Sequence, residues 1–523
     1  MSKFVTKEEA ARMIRDESTV CSTGFVASSV PETVLAAIED RFLAEGHPRN
    51  TTFVAEGGFG DHKTRGQDHF GHDGMTRRYI NAHYGMAPKM QKLIHENKVE
   101  AYSFPQGVLS QLVRATAARK PGVFTKVGLG TYVDPRIEGG KMNAVTKEDL
   151  VRIVELDGEE WMFYKALRLD VGVIRATTAD TDGNLTMENE TVLTGSLAIA
   201  QAAKANGGIV IAEVERVAQA GTLDPRRVKV PWFMVDAVVV ADEGNRNQSW
   251  SVKYNPAFCG DLKVPVDSIP SMAMNERKII ARRAAMELIP GSTVNLGIGL
   301  PEGVSSVAAE EGFADAVILT VEGGAIGGVP AGGASFGASI NPVAMITQSE
   351  QFDYYDGCGV DFTFLGMAQA DSYGNVNVSK VGSRIVGSGG FVNISQNAKR
   401  ACFCGTLTAG GLEVAVEGGK LKIVREGRSK KIVSQVEQIT FSGKYAAKVR
   451  QPVLYVTERA VFRLTEEGLV LEEIAPGIEL KTQVLDQIEA KVIVSPNLKE
   501  MDQRIFVDAP MGIAPEILEK SGK

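Results

Sequence analysis

Leu319-Thr320-Val321-Glu322-Gly323-Gly324-Ala325-Ile326-Gly327-Gly328 is the stretch on which the reading of this chain turns. The apolar run 316–321 predicts a buried strand that delivers one carboxylate, Glu322, into a glycine-rich turn. Glycine lets the backbone adopt φ > 0 and lets a large ligand come close. Open α/β sheets place ligands where strand ends open into such loops. A lone carboxylate there is a candidate nucleophile. The competing reading is a polar residue that closes a strand beside a structural turn.

Outward from that stretch, the chain repeats itself. Asp170-Val171-Gly172-Val173-Ile174 with its Asp180-Thr181-Asp182-Gly183-Asn184 turn parallels Asp361-Phe362-Thr363-Phe364-Leu365 with Asp371-Ser372-Tyr373-Gly374-Asn375. Ser18-Thr19-Val20 pairs with Ser292-Thr293-Val294, and each leads to a Pro-Glu helix start, Pro31-Glu32 and Pro301-Glu302. The first half carries a long extra segment between its landmarks. The expected architecture is therefore α/β, with two tandem, related open-sheet domains. They are expected at 1–241, with a large insertion, and at 276–523, carrying the nucleophilic glutamate. A polar, Pro-containing linker is expected at 242–275. Asn275-Glu276-Arg277-Lys278 opens a long helical pattern after it.

Composition narrows the function. At 523 residues the chain is too long for one core. A hydrophobic share of 44% and a charged share of 23% are those of a globular protein. A net charge of −7 argues against a general polyanion binder, so no nucleic-acid partner is expected. No apolar run is long enough to cross a bilayer and no signal peptide is evident, so no membrane partner is expected. The 5 cysteines fit no zinc or thioredoxin spacing and read as free thiols in a reducing cytoplasm.

The remaining motifs each carry two readings. The 6 histidines all precede residue 100, and Asp61-His62, Asp68-His69 and His72-Asp73 invite a metal, but no ligand motif is present. They read better as solvated or hydrogen-bonded loop histidines, and no metal is expected. Gly333-Ala334-Ser335-Phe336-Gly337 matches a nucleophile elbow in form only, because no histidine follows it. Gly297-Ile298-Gly299 is an anion-binding turn or simply a tight one. Gly387-Ser388-Gly389-Gly390 is an anion nest or a hairpin turn. Gln106, after the strand-like 101–104, is an uncharged hydrogen-bond donor or a capping residue.

Taken in order, Pro105-Gln106-Gly107, Gly128-Leu129-Gly130-Thr131-Tyr132, Gly297-Ile298-Gly299, Thr320-Val321-Glu322-Gly323-Gly324 and Gly387-Ser388-Gly389-Gly390-Phe391 resemble the family I coenzyme A transferases. Val329-Pro330-Ala331-Gly332-Gly333, Phe403-Cys404-Gly405-Thr406-Leu407 and Ile474-Ala475-Pro476-Gly477 are similar to the single-chain propionate (acetate/lactate) branch. The resemblance implies that Glu322 is the nucleophile. Gln106 and the Gly389-Gly390 turn become oxyanion donors, and Gly297, Gly299, Gly323 and Gly324 the CoA-side glycines. It implies ping-pong transfer of CoA from a short-chain acyl-CoA to a free carboxylate such as acetate or propionate, through a glutamyl-CoA thioester. The partners are then an acyl-CoA and a short-chain acid, and CoA is a substrate, with no resident cofactor. A homo-oligomer, tetramer or dimer, follows by analogy. With Gln106 in the first domain and Glu322 in the second, the site is expected in a cleft between them. Ser388 and His83-Tyr84 depart from the usual cysteine and His-Trp of close relatives. The rival functions are an acyl-CoA hydrolase on the same scaffold, a non-enzymatic ligand-binding protein of a related fold, and a metal-dependent lyase.

Overall fold

The computed structural model describes residues 3–265 and 272–520. Contacts divide the chain into two compact units. The first runs to Val264 and takes in Val321–Asp353 and Gly382–Asn393, and the second holds the rest.

The first unit is built on a parallel sheet of β1 (Thr19–Ser22), β2 (Thr51–Ala55), β3 (Thr76–Asn81), β4 (Glu100–Ser103), β5 (Val171–Asp180), β6 (Ile209–Ala218) and β7 (Ala237–Val240). Their order is β7-β6-β5-β1-β2-β3-β4. All ten residues of β5 are buried, and apart from Arg175 and Asp180 its sequence is apolar or small rather than alternating. Helices α1 (Glu32–Glu45), α2 (Gln106–Ala117) and α3 (Ser196–Ala205) follow strands β1, β4 and β5 along the chain.

In the second unit, β8 (Thr293–Leu296), β9 (Ile318–Thr320), β10 (Phe362–Gly366), β11 (Ala401–Cys404) and β12 (Val453–Val456) run in the order β9-β8-β10-β11-β12, all parallel. Strands β13 (Ala460–Thr465), β14 (Gly468–Ile474) and β15 (Ile493–Glu500) extend that sheet. The helix expected after Asn275 spans Glu276–Ala285, capped by the Asn275 carboxamide oxygen, which accepts from Arg277 and Lys278 N–H at 3.0 and 3.2 Å.

The two sheets repeat one pattern: β7-β6-β5-β1-β2 matches β12-β11-β10-β8-β9. The paired turns match in atomic detail. Asp180 Oδ1 accepts from Asp182, Gly183 and Asn184 N–H, and Asn184 Nδ2 donates to Asp180 Oδ2. Asp371 Oδ1 accepts from Tyr373 and Asn375 N–H, and Asn375 Nδ2 donates to Asp371 Oδ2. The extra segment of the first half is also identifiable. It is β3, β4 and a three-stranded antiparallel sheet in which Glu159–Lys165 lies between Gly122–Thr125 and Val151–Leu156. Asp157-Gly158, with φ of 52° and 78°, makes the two-residue turn of its hairpin.

Three boundaries differ from the sequence expectation. Residues 242–264 fold onto the first unit instead of forming a linker: Gln248 Nε2 donates to Asn189 O at 2.9 Å and Trp250 Nε1 to Gly60 O at 3.0 Å. The part of the expected linker at 266–271 lies outside the described residues. The segments with Glu322 and with Gly389-Gly390 belong to the first unit, although they come from the second half of the chain. Pro31 stands at the cap of α1, one residue before its first helical position.

Candidate active site

Glu322 follows β9 by two residues, and its turn is closed by Gly324 N–H donating to Val321 O at 2.8 Å and Val321 N–H to Ala325 O at 2.9 Å. Gly324 has φ 102°, and a Cβ there would collide with the Ile346 carbonyl, so the turn needs glycine at that point. Gly323 is confined less severely, with an added Cβ 3.0 Å from the Val192 side chain and 3.1 Å from the Gly337 carbonyl. Both glycines are thus explained by packing. The half-buried carboxylate of Glu322 accepts the Gly390 N–H. Burial pushes its pKa up to about 7, with the Gly390 bond pulling the other way. A side chain at Gly390 would overlap Glu322 Oε2 and press the Phe352 ring at 2.8 Å. Gly390 is therefore bare so that the carboxylate can reach its N–H.

The turn that carries Gly390 is fastened from below. Gly389 N–H donates to Ala82 O at 2.9 Å, at the end of β3. Tyr132 Oη donates to Ser388 Oγ at 3.0 Å and lies 2.9 Å from Ser103 Oγ, at the end of β4. Gln106 is the first residue of α2 and its backbone N–H donates to Gly389 O at 3.0 Å. Its side chain is 2% exposed, and Nε2 is buried without a hydrogen-bond partner. Buried donors are rarely left unpaired unless a ligand or reacting atom completes them. Gly107 N–H donates to Asn393 Oδ1 at 3.1 Å, which ties α2 to the segment after Gly390. Glu322, Gln106, Gly389 and Gly390 therefore meet around one turn within the first unit.

Gly297 and Gly299 belong to the second unit. Gly297 N–H donates to Phe364 O at 2.8 Å, and Leu365 leaves no room for a side chain there. Gly299, at φ 91°, has open space where a Cβ would stand, and Ile298 between them is 57% exposed. That turn offers its backbone to an approaching ligand.

Of the neighbours, Phe352 and Glu56 were not singled out by the sequence, and His83 only as part of His83-Tyr84. The Phe352 ring walls Gly390 and Gly107. His83 packs on Gly58 and its Cδ2 comes within 4.0 Å of a Cβ placed on Gly389; burial lowers its pKa to about 4, leaving it uncharged at neutral pH. Glu56, at the end of β2, is 4% exposed. It had a visible signal: Glu56-Gly57-Gly58 repeats the motif Glu322-Gly323-Gly324. Of the remaining histidines, His47, His62, His69 and His72 are ion-paired or hydrogen-bonded, His69 between Glu32 and Glu39, and His95 is exposed. Ser335 of the false elbow meets Ser249 Oγ at 3.2 Å. A cavity of 1220 Å³ lined by Arg114, Lys204, Phe233 and Asp353 contains neither Glu322 nor Gln106.

A strand-end carboxylate on a backbone N–H, beside an unpaired amide, is equipped for acyl chemistry through a carboxylate nucleophile. The family model for coenzyme A transferase matches residues 5–241. The chain is 48% identical over 512 residues to the caffeate CoA-transferase of Acetobacterium woodii, covering 97% of this chain and 98% of that one. It belongs to the coenzyme A transferase family and is a transferase enzyme. It is also 43% identical over 514 residues to the acetate CoA-transferase YdiF of Escherichia coli K12, covering 98% and 97% of the two chains. The crystal structure of the YdiF acyl-CoA transferase of E. coli O157:H7, a thioester complex with CoA, superposes with a TM-score of 0.92 at 42% identity, covering 98% of this chain and 97% of that one. Among the described residues no helix is long and apolar enough to cross a membrane.

Proposed function

We propose that Glu322 is the residue that carries CoA between two acids, and that Gln106 Nε2 and the Gly389-Gly390 backbone stabilise the oxyanions. The carboxylate of Glu322 attacks the acyl-CoA carbonyl. The C–S bond breaks, CoA leaves as thiolate, and an acyl–glutamyl anhydride forms. The thiolate then attacks the Glu322 carbonyl, giving a glutamyl-CoA thioester and the first free acid. The acceptor carboxylate reverses both steps. No net proton, electron or water is consumed, so the chemistry draws on no metal or redox cofactor. Each tetrahedral intermediate places negative charge where a preorganised donor is worth about 3–4 kcal/mol.

The observation that carries this reading is the pairing of the Glu322 carboxylate on the Gly390 N–H with the unpaired buried Nε2 of Gln106. The exposed backbone of Gly297–Gly299 supports a role in holding CoA, and Gly323 and Gly324 would shape the turn it approaches. For substrates we propose short-chain acids such as acetate and propionate, since the Phe352 ring already crowds Gly390. The names of the relatives, acetate and caffeate transferases, make caffeate the informative competitor. The free cysteines, of which Cys21, Cys402 and Cys404 are buried, support a reducing cytoplasm. Exposed Trp232 and Phe233, 51% and 60%, support a homo-oligomer, dimer or tetramer, which light scattering on a sizing column measures.

Initial rates across a matrix of acyl-CoA donors and acids test the mechanism. Parallel double-reciprocal lines are expected, because the first acid leaves before the acceptor enters. Intersecting lines would sink it. CoA release that proceeds without any acceptor would favour the hydrolase. Activity should survive a chelator; loss reversed by a divalent metal would refute the metal-free chemistry.

A further inference from the structure

The repeated sheets place a second carboxyl where the first half has its own copy of the Glu322 position. Strand β2 occupies in the first sheet the place that β9 occupies in the second, and each is followed within two residues by Glu-Gly-Gly, Glu56-Gly57-Gly58 and Glu322-Gly323-Gly324. Each glutamate is held by the N–H of a glycine that immediately precedes a helix. Glu322 faces Gly390, ahead of Phe391–Asn397, and Glu56 faces Gly195, ahead of α3. In both cases the glycine is needed: a Cβ on Gly195 would come within 2.5 Å of both Glu56 carboxyl oxygens. The two differ in access. Glu56 is almost fully buried, and its Oε1 has no hydrogen-bond partner.

What Glu56 touches through its own turn gives it a task. A Cβ on Gly57 would stand 3.6 Å from Gln106 Oε1, and one on Gly58 would strike the His83 ring at 2.6–2.9 Å. Gly58 O also accepts Val26 N–H at 2.8 Å. The Glu56-Gly57-Gly58 turn is thus the wall against which the Gln106 amide lies, and the carboxyl seated on Gly195 is one anchor of that wall. We propose that Glu56 is a positioning residue for the transferase reaction: its carboxyl, locked on the Gly195 N–H, holds the Gly57 backbone so that the Gln106 amide keeps its catalytic orientation. Burial pushes its pKa up to about 7, so it holds this place without a fixed charge at mildly acidic pH. It does not itself touch the reacting atoms, and the buried copy has become a support for the accessible one. The proposal rests on Gln106 serving as the oxyanion donor.

The test is a set of steady-state measurements with one acyl-CoA and acetate. Glu56→Ala is expected to lower kcat about 10–100-fold with little change in KM for the acyl-CoA, since a displacement of about 1 Å at a catalytic group costs that much. Glu56→Gln, which still accepts the Gly195 N–H, should restore most of that loss. In a Gln106→Ala background, Glu56→Ala should cost nothing further, because the amide it positions is gone. Gly195→Ala, at a φ of −71° that alanine tolerates, displaces the carboxyl directly and should reproduce the kcat loss if Glu56→Ala fails to fold. A folded Glu56→Ala or Gly195→Ala protein with normal kcat and a lowered Tm would overturn the proposal, as would a full multiplicative loss on top of Gln106→Ala. If Gln106→Ala alone leaves kcat unchanged, the oxyanion reading fails instead.

Discussion

At the scale of single residues, the site is a set of groups kept in unfavourable surroundings. Glu322 is a carboxylate with a pKa of about 7 instead of about 4.5. Two consequences follow. The first half-reaction, read as CoA-adduct formation in single turnover, should rise with pH through about 7 as the nucleophile ionises. The stability effect has a definite sign: with the folded pKa raised, the native state binds the proton more tightly, so stability is fullest below about 4.5 and is lost as pH rises through 7. Glu322→Gln should therefore raise Tm relative to the parent more at pH 8 than at pH 4.5, while abolishing turnover. An equal shift at both pH values would mean that the carboxylate is not strained by its burial. Gln106→Ala should lower kcat by about 100–1,000-fold with a smaller effect on KM, because the oxyanion exists only near the transition state. Glu322 and Gln106 could be singled out from the sequence as candidates because their motifs are local. The unpaired state of Nε2 could not, since whether a buried amide finds a partner depends on what the rest of the chain packs around it.

At the scale of elements, α1 shows how the histidines are used. Its acids, buried Glu32 and half-buried Glu39, grip His69: Nε2 lies 3.0 Å from Glu32 and Nδ1 contacts Glu39, which also holds His72 and, at 2.6 Å, Lys89 Nζ. Burial pulls the His69 pKa down, but the two carboxylates more than offset it and raise it to about 9. A histidine raised in this way contributes stability that is full below about 6.5 and lost as pH rises through 9. His69→Ala should cost about 3–5 kcal/mol in urea unfolding near pH 6.5, because it leaves the buried Glu32 carboxylate without its cation. The cost should be smaller at pH 9.5. A cost that does not change with pH would show that the cluster is held by packing alone. The sequence reading set these histidines aside as loop residues. Their acidic partners sit 30 and 37 positions earlier on a helix, a pairing that no local spacing reveals.

At the scale of the whole molecule, the repeat explains both what could be foreseen and what could not. Two tandem open sheets were legible because strands β5 and β10 and their Asp-x-x-Gly-Asn turns keep recognisable sequences. The grouping of the Glu322 segment with the first unit was not, since it follows from contacts rather than from chain order. The repeat also yields a count. Glu-Gly-Gly occurs at matching strand ends twice, yet only the copy at Glu322 is accessible. Incubation with an acyl-CoA and no acceptor should therefore add one CoA mass per chain, mapped by proteolysis to the Glu322 peptide. A second equivalent, on the Glu56 peptide, would contradict the assignment of separate roles to the two carboxyls.

The three-stranded sheet between β4 and β5 offers a practical use. Its turn at Asp157-Gly158 is the shortest loop that two strands can share, and at Gly158 nothing approaches within 4 Å of the space where a side chain would begin. Leu156 before it is 42% exposed. Because this segment was added to the repeat without altering the strand order, it is a permissive place to graft a fluorophore or an affinity handle. A reporter there would let the charging and discharging of the enzyme be followed on a surface, one acid at a time.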